Sequence, residues 1–423
     1  MPKIENKIGL KSGDVVSYSV ESVFSDISIS ELFKYQSIKN IKDIIDRNTI
    51  FPRFRIFVLN DDETVCYQIP NENIISGGSY QENYQNGSRR TLSFSLYNDD
   101  GKYTPSINKF WVNTKVRLDI GLEIPDERIT IWFNHGVFLM STPNPSHSSN
   151  GSTVSINCAD KFTIFENSTG IISTTTEIPP GSKIKDVIQD IQNVDLGNGS
   201  VLDPIPMFID PTFEKSVVQQ TISLSAGQTY GEMLKQLANM ISAEIFYDST
   251  GVLTIAPIVE LMNDGDKPVL YDYEAGRGNL QNDDFSLDMD SFVNSVQIVG
   301  ANINGHTVTA IAENTDPSSP LSIERIGRRS LSPITDTNIT TDVLAQERAD
   351  YELRQRLIAK STLNSSVFFN PLLGVNNLVT YTDEFYGLRR DRFLIQSISF
   401  SLNYDGTMSL SVSNINNLPF VIG

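Results

Sequence analysis

Residues 221–257, TISLSAGQTYGEMLKQLANMISAEIFYDSTGVLTIAP, constrain this chain more than any other stretch, because three structural signals follow one another within it. Thr229 and Glu232 form a T-x-x-E capping box, in which each side chain is expected to satisfy a free backbone N–H of a helix's first turn. Leu234, Leu237, Ala238 and Ile241 then recur at i, i+3, i+4 and i+7, which is one helical face. AEIFYD and GVLTIAP follow, joined by Asp248, Ser249, Thr250 and Gly251, the signal of a short hairpin connection. The chain is strand-rich on both sides. The stretch therefore reads as part of a small α/β insert between two larger β modules.

The expected division is a leader over residues 1–50, a first β module over 51–170, the insert over 171–258 and a second β module over 259–423. In the leader, Leu32, Ile38, Ile41, Ile44 and Ile45 fall at roughly helical intervals. A helical arm packing on a neighbour and a local helix closing its own domain both fit that pattern. In the first module, TLSFSLYN alternates strictly, with Leu92, Phe94 and Leu96 on one side, as a half-buried strand requires. VRLDIGL, ITIWF, GVFLMS and TVSINC continue the series, and many short strands with polar turns point to a barrel or sandwich. In the insert, Ile184, Val187, Ile188 and Ile191 share a helical face. In the second module, Ala345, Ala349, Leu353 and Leu357 line a helix predicted over 342–359, with Asp350–Arg354 and Glu352–Arg356 as i, i+4 pairs. FLIQSISFSLNYDGTMSLSVSNI closes the chain as a hairpin.

The two modules also resemble each other. NTKVRLDIGLE (113–123) parallels NNLVTYTDEFYG (376–387), and GVFLMS (136–141) parallels DRFLIQ (391–396). Duplication of one barrel and chance likeness between strands of similar composition both remain open at this point.

The totals bound what the chain can do. With 423 residues, 39% hydrophobic and 20% charged, it has length for more than one buried core. A formal net charge of −18 argues against a surface that grips nucleic acid, which needs clustered Lys and Arg. Two distant cysteines, Cys66 and Cys158, give neither a metal spacing nor a disulfide framework, and are expected to be free thiols. The N-terminus lacks the apolar segment of a secretion signal, and no run approaches the ~18 apolar residues of a membrane span.

A search for chemistry returns little. The three histidines, His135, His147 and His306, share no metal-ligand spacing. His135 and His147 lie in or beside predicted turns, where solvated polar residues are expected. There is no G-x-S-x-G elbow, no P-loop and no complete calcium loop. No catalytic, cofactor or metal residue is assigned, and the chain is expected not to be an enzyme. One acidic run is more pointed. In DDFSLDMD (283–290) apolar residues alternate with acids, so a strand there would place Phe285, Leu287 and Met289 inside and Asp284, Asp288 and Asp290 on the outer face. Such a face is a solvated edge on most proteins. On a channel wall it would repel DNA phosphates.

RRTLSFSLYNDDGKYTPSINKFWVNTKVRLDIGL with FNHGVFLMS resembles the first barrel of tailed-phage baseplate hub and tail-tip hub proteins. LSAGQTYGEMLKQLANMISAEIFYDSTGVLTI is similar to the α/β segment of that family, and the late helix with FLIQSISFSLNYDG to its second barrel. The resemblance covers about residues 51–415. It implies a mainly β, α+β fold with two tube-like β-barrel modules flanking the small α/β insert. It further implies a homotrimeric structural hub at the distal end of a tail, adapting a sixfold tube to a threefold spike or tip. Its partners would be copies of itself, a tail tube or distal tail protein, a spike or tip protein, and genome DNA passing without specific binding. No stable membrane insertion and no cofactor are implied. The setting would be the virion tail, assembled in the host cytoplasm. Many tip proteins continue into a fibre or a wall-degrading domain, and the end at Gly423 implies that such cutting belongs to a partner. Two other readings stay in view: a carbohydrate- or receptor-binding tail protein, and a cell-wall hydrolase. Exposed aromatic platforms would support the former, whereas Trp111 and Trp132 lie in apolar patterns that predict core positions.

Overall fold

The helix predicted after Thr229 is present as Tyr230–Met240, and it is capped by half of the expected box. Thr229 Oγ1 accepts from the Glu232 N–H at 3.2 Å, but the Glu232 carboxylate accepts from Gln228 Nε2 at 3.1 Å. Met233, Leu234, Leu237 and Ala238 are buried. The computed structural model describes residues 3–9, 15–22, 32, 37–46, 51–105, 110–111, 113–141, 143–149, 151–197, 199–258, 269–277, 279–287, 293–303, 305–319, 321–337, 339–358, 361–403 and 406–414. The chain forms two compact units. The first comprises Met1–Pro268, Phe368–Asn377 and Ser397–Ser409, and the second Val269–Val367, Leu378–Gln396 and Leu410–Gly423.

In chain order the first unit begins with β1 (Lys3–Gly9), β2 (Val15–Glu21) and α1 (Ile38–Ile45). It continues with β3 (Phe51–Leu59), β4 (Val65–Gln68), β5 (Ile74–Asn83), β6 (Arg90–Tyr97), β7 (Lys115–Ile124), β8 (Ile129–Met140), β9 (Asn144–Ser148) and β10 (Gly151–Asp160). Strands β5, β6, β10, β8, β7, β3 and β4 are neighbours in that order, and β2 adds to β8. Leu92, Phe94 and Leu96 are buried, as their alternation requires. On the opposite face hydroxyls pair across strands, Ser79 with Ser93 at 2.8 Å and Ser95 with Ser155 at 3.1 Å. The leader holds more than its helical signal: β1 and β2 pair antiparallel from Lys3 opposite Glu21 to Gly9 opposite Val15. In α1, Ile41, Ile44 and Ile45 are buried.

After a short helix α2 (Thr163–Glu166) come β11 (Thr176–Ile178), α3 (Ile184–Gln192), β12 (Phe208–Ile209), β13 (Ile222–Leu224), α4 (Tyr230–Met240), β14 (Ala243–Tyr247) and β15 (Leu253–Pro257). Strands β14 and β15 form the expected antiparallel hairpin, and α3 and α4 pack with them around Ile184, Ile188, Ile191, Leu234, Leu237 and Ile245. Asp248 holds the turn, its Oδ1 accepting from the N–H groups of Thr250 and Val252 at 2.8 and 3.0 Å.

The second unit contains β16 (Val269–Glu274), β17 (Leu280–Leu287), β18 (Ser295–Ile303), β19 (His306–Glu313), α5 (Ile323–Ile326), β20 (Ile334–Thr335), α6 (Asp342–Ile358), β21 (Ser361–Phe368), β22 (Leu378–Asp383), β23 (Leu388–Leu402) and β24 (Thr407–Asn414). Both β23 and β24 are divided between the units, with residues from Ser397 of β23 and up to Ser409 of β24 counting with the first. Helix α6 buries Ala345, Ala349, Leu353 and Leu357 against Val296, Ile298, Val308 and Ala310. Glu352 pairs with Arg356, as expected, and also with Arg348 at 2.7 Å. Asp350, expected to pair with Arg354, instead accepts from Gln346 Nε2 at 2.9 Å, one turn toward the N-terminus.

The resemblance between modules extends to strand register. Lys115 lies opposite Leu139 and Val116 opposite Phe138. At the positions aligned with these in sequence, Leu378 lies opposite Leu394 and Val379 opposite Phe393. Asn113 and Asn376, each two residues before its strand, have φ of 64° and 65°.

Candidate functional site

The strongest concentration of chemistry in the first unit surrounds the β14–β15 hairpin and consists of buried ion pairs. Arg89, at the start of β6, directs Nη2 to Glu244 Oε2 at 2.8 Å, with side chains only 3% and 2% exposed. Its Nε donates to the Gln85 carbonyl at 2.7 Å, and its guanidinium lies over the Phe246 ring at 3.8 Å. Glu244 also accepts from Tyr84 Oη at 2.5 Å and from Asn376 Nδ2 at 2.8 and 3.0 Å. Burial pushes the Glu244 carboxyl above its ordinary pKa, and the Arg89 charge opposes that shift. The backbone joins in: Gly87 N–H donates to Ile245 O at 2.8 Å, so the 84–88 loop covers the free edge of β14.

A second knot lies on Lys161, at the end of β10. An ammonium has three donors, and here they meet Glu63 Oε1 at 2.5 Å, Asp203 Oδ1 at 2.8 Å and the Gly251 carbonyl at 2.9 Å. Asp203 also accepts from Tyr247 Oη at 2.6 Å and Gln192 Nε2 at 3.1 Å. Between the two knots, Arg90 donates to the Tyr247 carbonyl at 2.7 Å and pairs with Glu82 at 2.8 Å. Asp160 accepts from the N–H groups of Phe162, Arg90 and Arg89 at 2.9, 3.3 and 3.4 Å, yet burial still lifts its carboxyl to about 6. With its charges paired, this cluster fixes geometry. Buried charges are costly unless paired, and pairing here joins β6, β10, the 368–377 segment and the insert hairpin.

His135 corrects an expectation. It lies within β8, buried, with Nε2 at 3.1 Å from the Pro371 carbonyl and its ring edge-on to Tyr80. Burial, aided by the Arg90 charge, lowers its pKa to about 3, so the ring is neutral and Nε2 is the donor. His147 lies on β9 and is exposed, the solvated position expected of it, with Nδ1 at 2.7 Å from Ser152 Oγ. Trp111 corrects another: it is 56% exposed, because Phe110 takes the inner place beside Tyr103 at 5.4 Å. Trp132 is half-buried under the Arg55 guanidinium, 4.1 Å away.

The acidic strand predicted at 283–290 is β17 as far as Leu287; Asp288, Met289 and Asp290 lie outside the described residues. Asp284 is exposed and stands opposite Asn364 on β21, while Phe285 is half-buried opposite Leu363. Sequence reasoning missed Asp283. Its Oδ2 is sealed from solvent and accepts no hydrogen bond. Burial and the neighbouring Asp383 carboxyl lift Asp283 to about 6. The period-two alternation itself puts Asp283 on the Phe285 side, which is the signal that could have found it.

Another first-unit feature is a polar cavity of about 460 Å3 lined by Lys7, Tyr18, Arg55, Arg117, Asp119 and Asn134, among others. Asp119 sits between Arg55 and Arg117, 2.9 Å from each. Among the described residues no three His, Cys, Asp or Glu side chains are grouped to hold a metal ion, and no helix is long and apolar enough to cross a membrane.

No protein-family profile and no curated protein matches the sequence. Solved structures do match. A tail protein from Neisseria meningitidis MC58 superposes with a TM-score of 0.57 at 13% identity, over 86% of this chain and 96% of that one. The 43 kDa tail protein of prophage MuSo2 from Shewanella oneidensis gives 0.56 at 19% identity, over 86% and 100%. A chain of the Francisella PdpA–VgrG complex gives 0.53 at 10% identity, over 91% of this chain and 56% of that one. In fold, this chain is a mainly β protein similar to these solved tail proteins.

Proposed function

We propose that this chain is a structural hub protein at the distal end of a phage or phage-like tail. Three copies form a ring that adapts a sixfold tail tube to a threefold spike or tip and encloses the path of the genome DNA. In this reading residues 51–170 and 259–423 are two tube-like barrels, 171–258 is the insert between them, and 1–50 is an arm. Six similar barrels per ring then match the sixfold tube. The observation that carries the reading is the likeness to two tail proteins over 86% of this chain and nearly all of theirs. The matched register of Val116–Phe138 and Val379–Phe393 supports two like modules per chain. The work is interface packing without turnover, in the virion tail after assembly in the host cytoplasm. Asp284, with Asp288 and Asp290, belongs on this reading to the channel wall, where carboxylates repel phosphates.

The test is the solution mass of the purified chain with low-resolution particle images, alone and with tail-tube protein. Three-chain rings with a central hole, formed alone or on the tube, are expected. A monomer that stays monomeric with the tube present overturns the reading.

One observation favours a second reading, a carbohydrate- or receptor-binding tail protein: the exposed ring of Trp111. Glycan binding lost in Trp111→Ala, with folding intact, would favour it over the hub.

A further inference from the structure

The side chains of Lys161 and Asp203 are both fully buried, and Lys161 Nζ lies 2.8 Å from Asp203 Oδ1. The carboxyl is held in one orientation. Its Oδ2 accepts from Tyr247 Oη at 2.6 Å and Gln192 Nε2 at 3.1 Å, and its Oδ1 from the Ile205 N–H at 3.1 Å. The ammonium is held in turn by Glu63 Oε1 at 2.5 Å and the Gly251 carbonyl at 2.9 Å. Lys115 anchors the same Glu63 oxygen at 2.9 Å. Aromatic rings keep water out: Tyr247 lies 4.6 Å from Nζ and stacks on Phe165, and Phe162 is edge-on to both. Glu63 reaches this point from a turn with left-handed backbone, φ 64°. That conformation is uncommon outside glycine and asparagine, and such outliers gather at functional sites.

The geometry points to a covalent link: Lys161 Nζ condenses with Asp203 Cγ to an isopeptide bond, with Glu63 as the proton carrier and one water leaving. A nucleophile, a carboxyl carbon and a base are already in contact, so no search for orientation remains. The ammonium first passes a proton to Asp203 Oδ1, which it touches, and a neutral amine then faces a neutral acid. The amine attacks Cγ and the C–N bond forms. Negative charge gathers on Oδ2, where the Tyr247 hydroxyl and the Gln192 amide are placed to donate to it. Glu63 takes a second proton from the nitrogen and delivers it to Oδ1. The Cγ–Oδ1 bond breaks and Oδ1 leaves as water. One of the three ammonium protons stays on the amide nitrogen. A cation and an anion thus become a neutral amide and one water, with no oxidant or reductant. The dry site favours this outcome, because buried charges are costly and water has little access to reverse the step. The link ties the end of β10 to the α/β insert through a bond that denaturant cannot open.

The test is the intact mass of the purified full chain, measured unfolded, followed by peptide mapping. The mass is expected to fall about 18 Da, one water, below that of the sequence, as a covalent modification of this kind requires. The map is expected to contain one branched peptide joining Lys161 to Asp203. A mass equal to that of the sequence, or a water loss mapped elsewhere, overturns the link. A purely ionic role for Lys161 leaves the mass unchanged, so the readout separates the two. Glu63→Gln keeps the side chain's size and removes the base. It should be recovered mostly unlinked, since loss of a positioned proton-transfer group slows such a step by about 100-fold or more. A fully linked variant overturns the proposed step. Should Glu63→Gln fail to fold, the wild-type mass and map decide alone.

Discussion

Asn113 and Asn376 adopt the same left-handed backbone conformation, φ 64° and 65°, each two residues before a strand that pairs in the same register with its neighbour. Matching register and matching turn geometry at aligned positions are harder to reach by chance than similar composition, and they favour duplication of one module. The two asparagines differ in their surroundings. Asn113 is exposed, whereas Asn376 is buried and bonded to the Glu244 carboxylate. Glycine accepts a left-handed φ at no steric cost. Asn113→Gly should therefore change unfolding free energy by less than about 0.5 kcal/mol. Asn376→Gly should cost about 2–3 kcal/mol through lost bonds to a charged acceptor. Urea unfolding of both variants checks this, and equal costs would refute the assignment.

Arg89→Met should be among the most damaging single changes. It leaves the Glu244 carboxylate buried with only neutral donors, Tyr84 and Asn376. Removing one partner of a buried pair costs about 3–5 kcal/mol. Arg89→Met with Glu244→Leu should recover part of that loss, because no lone charge remains. A double-mutant cycle with no coupling between the two positions would show that the pair does not hold the junction.

The parts of the fold that local patterns specify were legible. The α4 helix and the β14–β15 hairpin follow from a cap, an i, i+4 face and turn residues, and α6 follows from Ala345, Ala349, Leu353 and Leu357. The ionic junction was not legible. Glu63, Arg89, Lys161, Asp203 and Glu244 are scattered along the sequence with no shared spacing, and only tertiary folding brings them together. His135 was misread because a polar residue near a turn normally meets water, and nothing local reveals the Pro371 carbonyl waiting inside. Trp111 was misread because an apolar pair, Phe110 and Trp111, does not say which member faces inward. The β1–β2 hairpin had a usable signal: Tyr18 and Val20 alternate and are both buried.

Gly87 tests how tightly the 84–88 loop closes on β14. Its φ is 93°, and a Cβ there would lie 2.5 Å from Lys235 Cε and 3.0 Å from Phe162 Cε1. Lys235 can move, but the fully buried Phe162 ring cannot readily do so. Gly197 has φ 80° with open space around it. Gly197→Ala should cost only the left-handed penalty, roughly 1–2 kcal/mol. Gly87→Ala should cost about 1–3 kcal/mol more, from overpacking. Equal melting temperatures for the two variants would mean that the loop is not clamped as described.

The buried His135 predicts the shape of acid denaturation. Its folded pKa of about 3 lies below the ordinary 6.5, because burial and Arg90 disfavour the imidazolium. The unfolded chain then binds a proton that the folded chain refuses. The stability this contributes is fully present above pH 6.5 and is lost as pH falls toward 3. Asp160 works the other way. Its folded value of about 6 exceeds the ordinary 3.8, so its contribution is fully present below 3.8 and is lost as pH rises through about 6. Between those limits the two oppose each other, and a wild-type profile alone cannot separate them. His135→Gln separates them, because it keeps a donor for Pro371 and removes the titration. The stability of wild type relative to this variant should fall by about 1.4 kcal/mol per pH unit from pH 6 toward pH 4. Chemical unfolding at half-unit steps measures that slope, and parallel profiles for the two proteins would mean that His135 takes up its proton in the folded state as readily as in water.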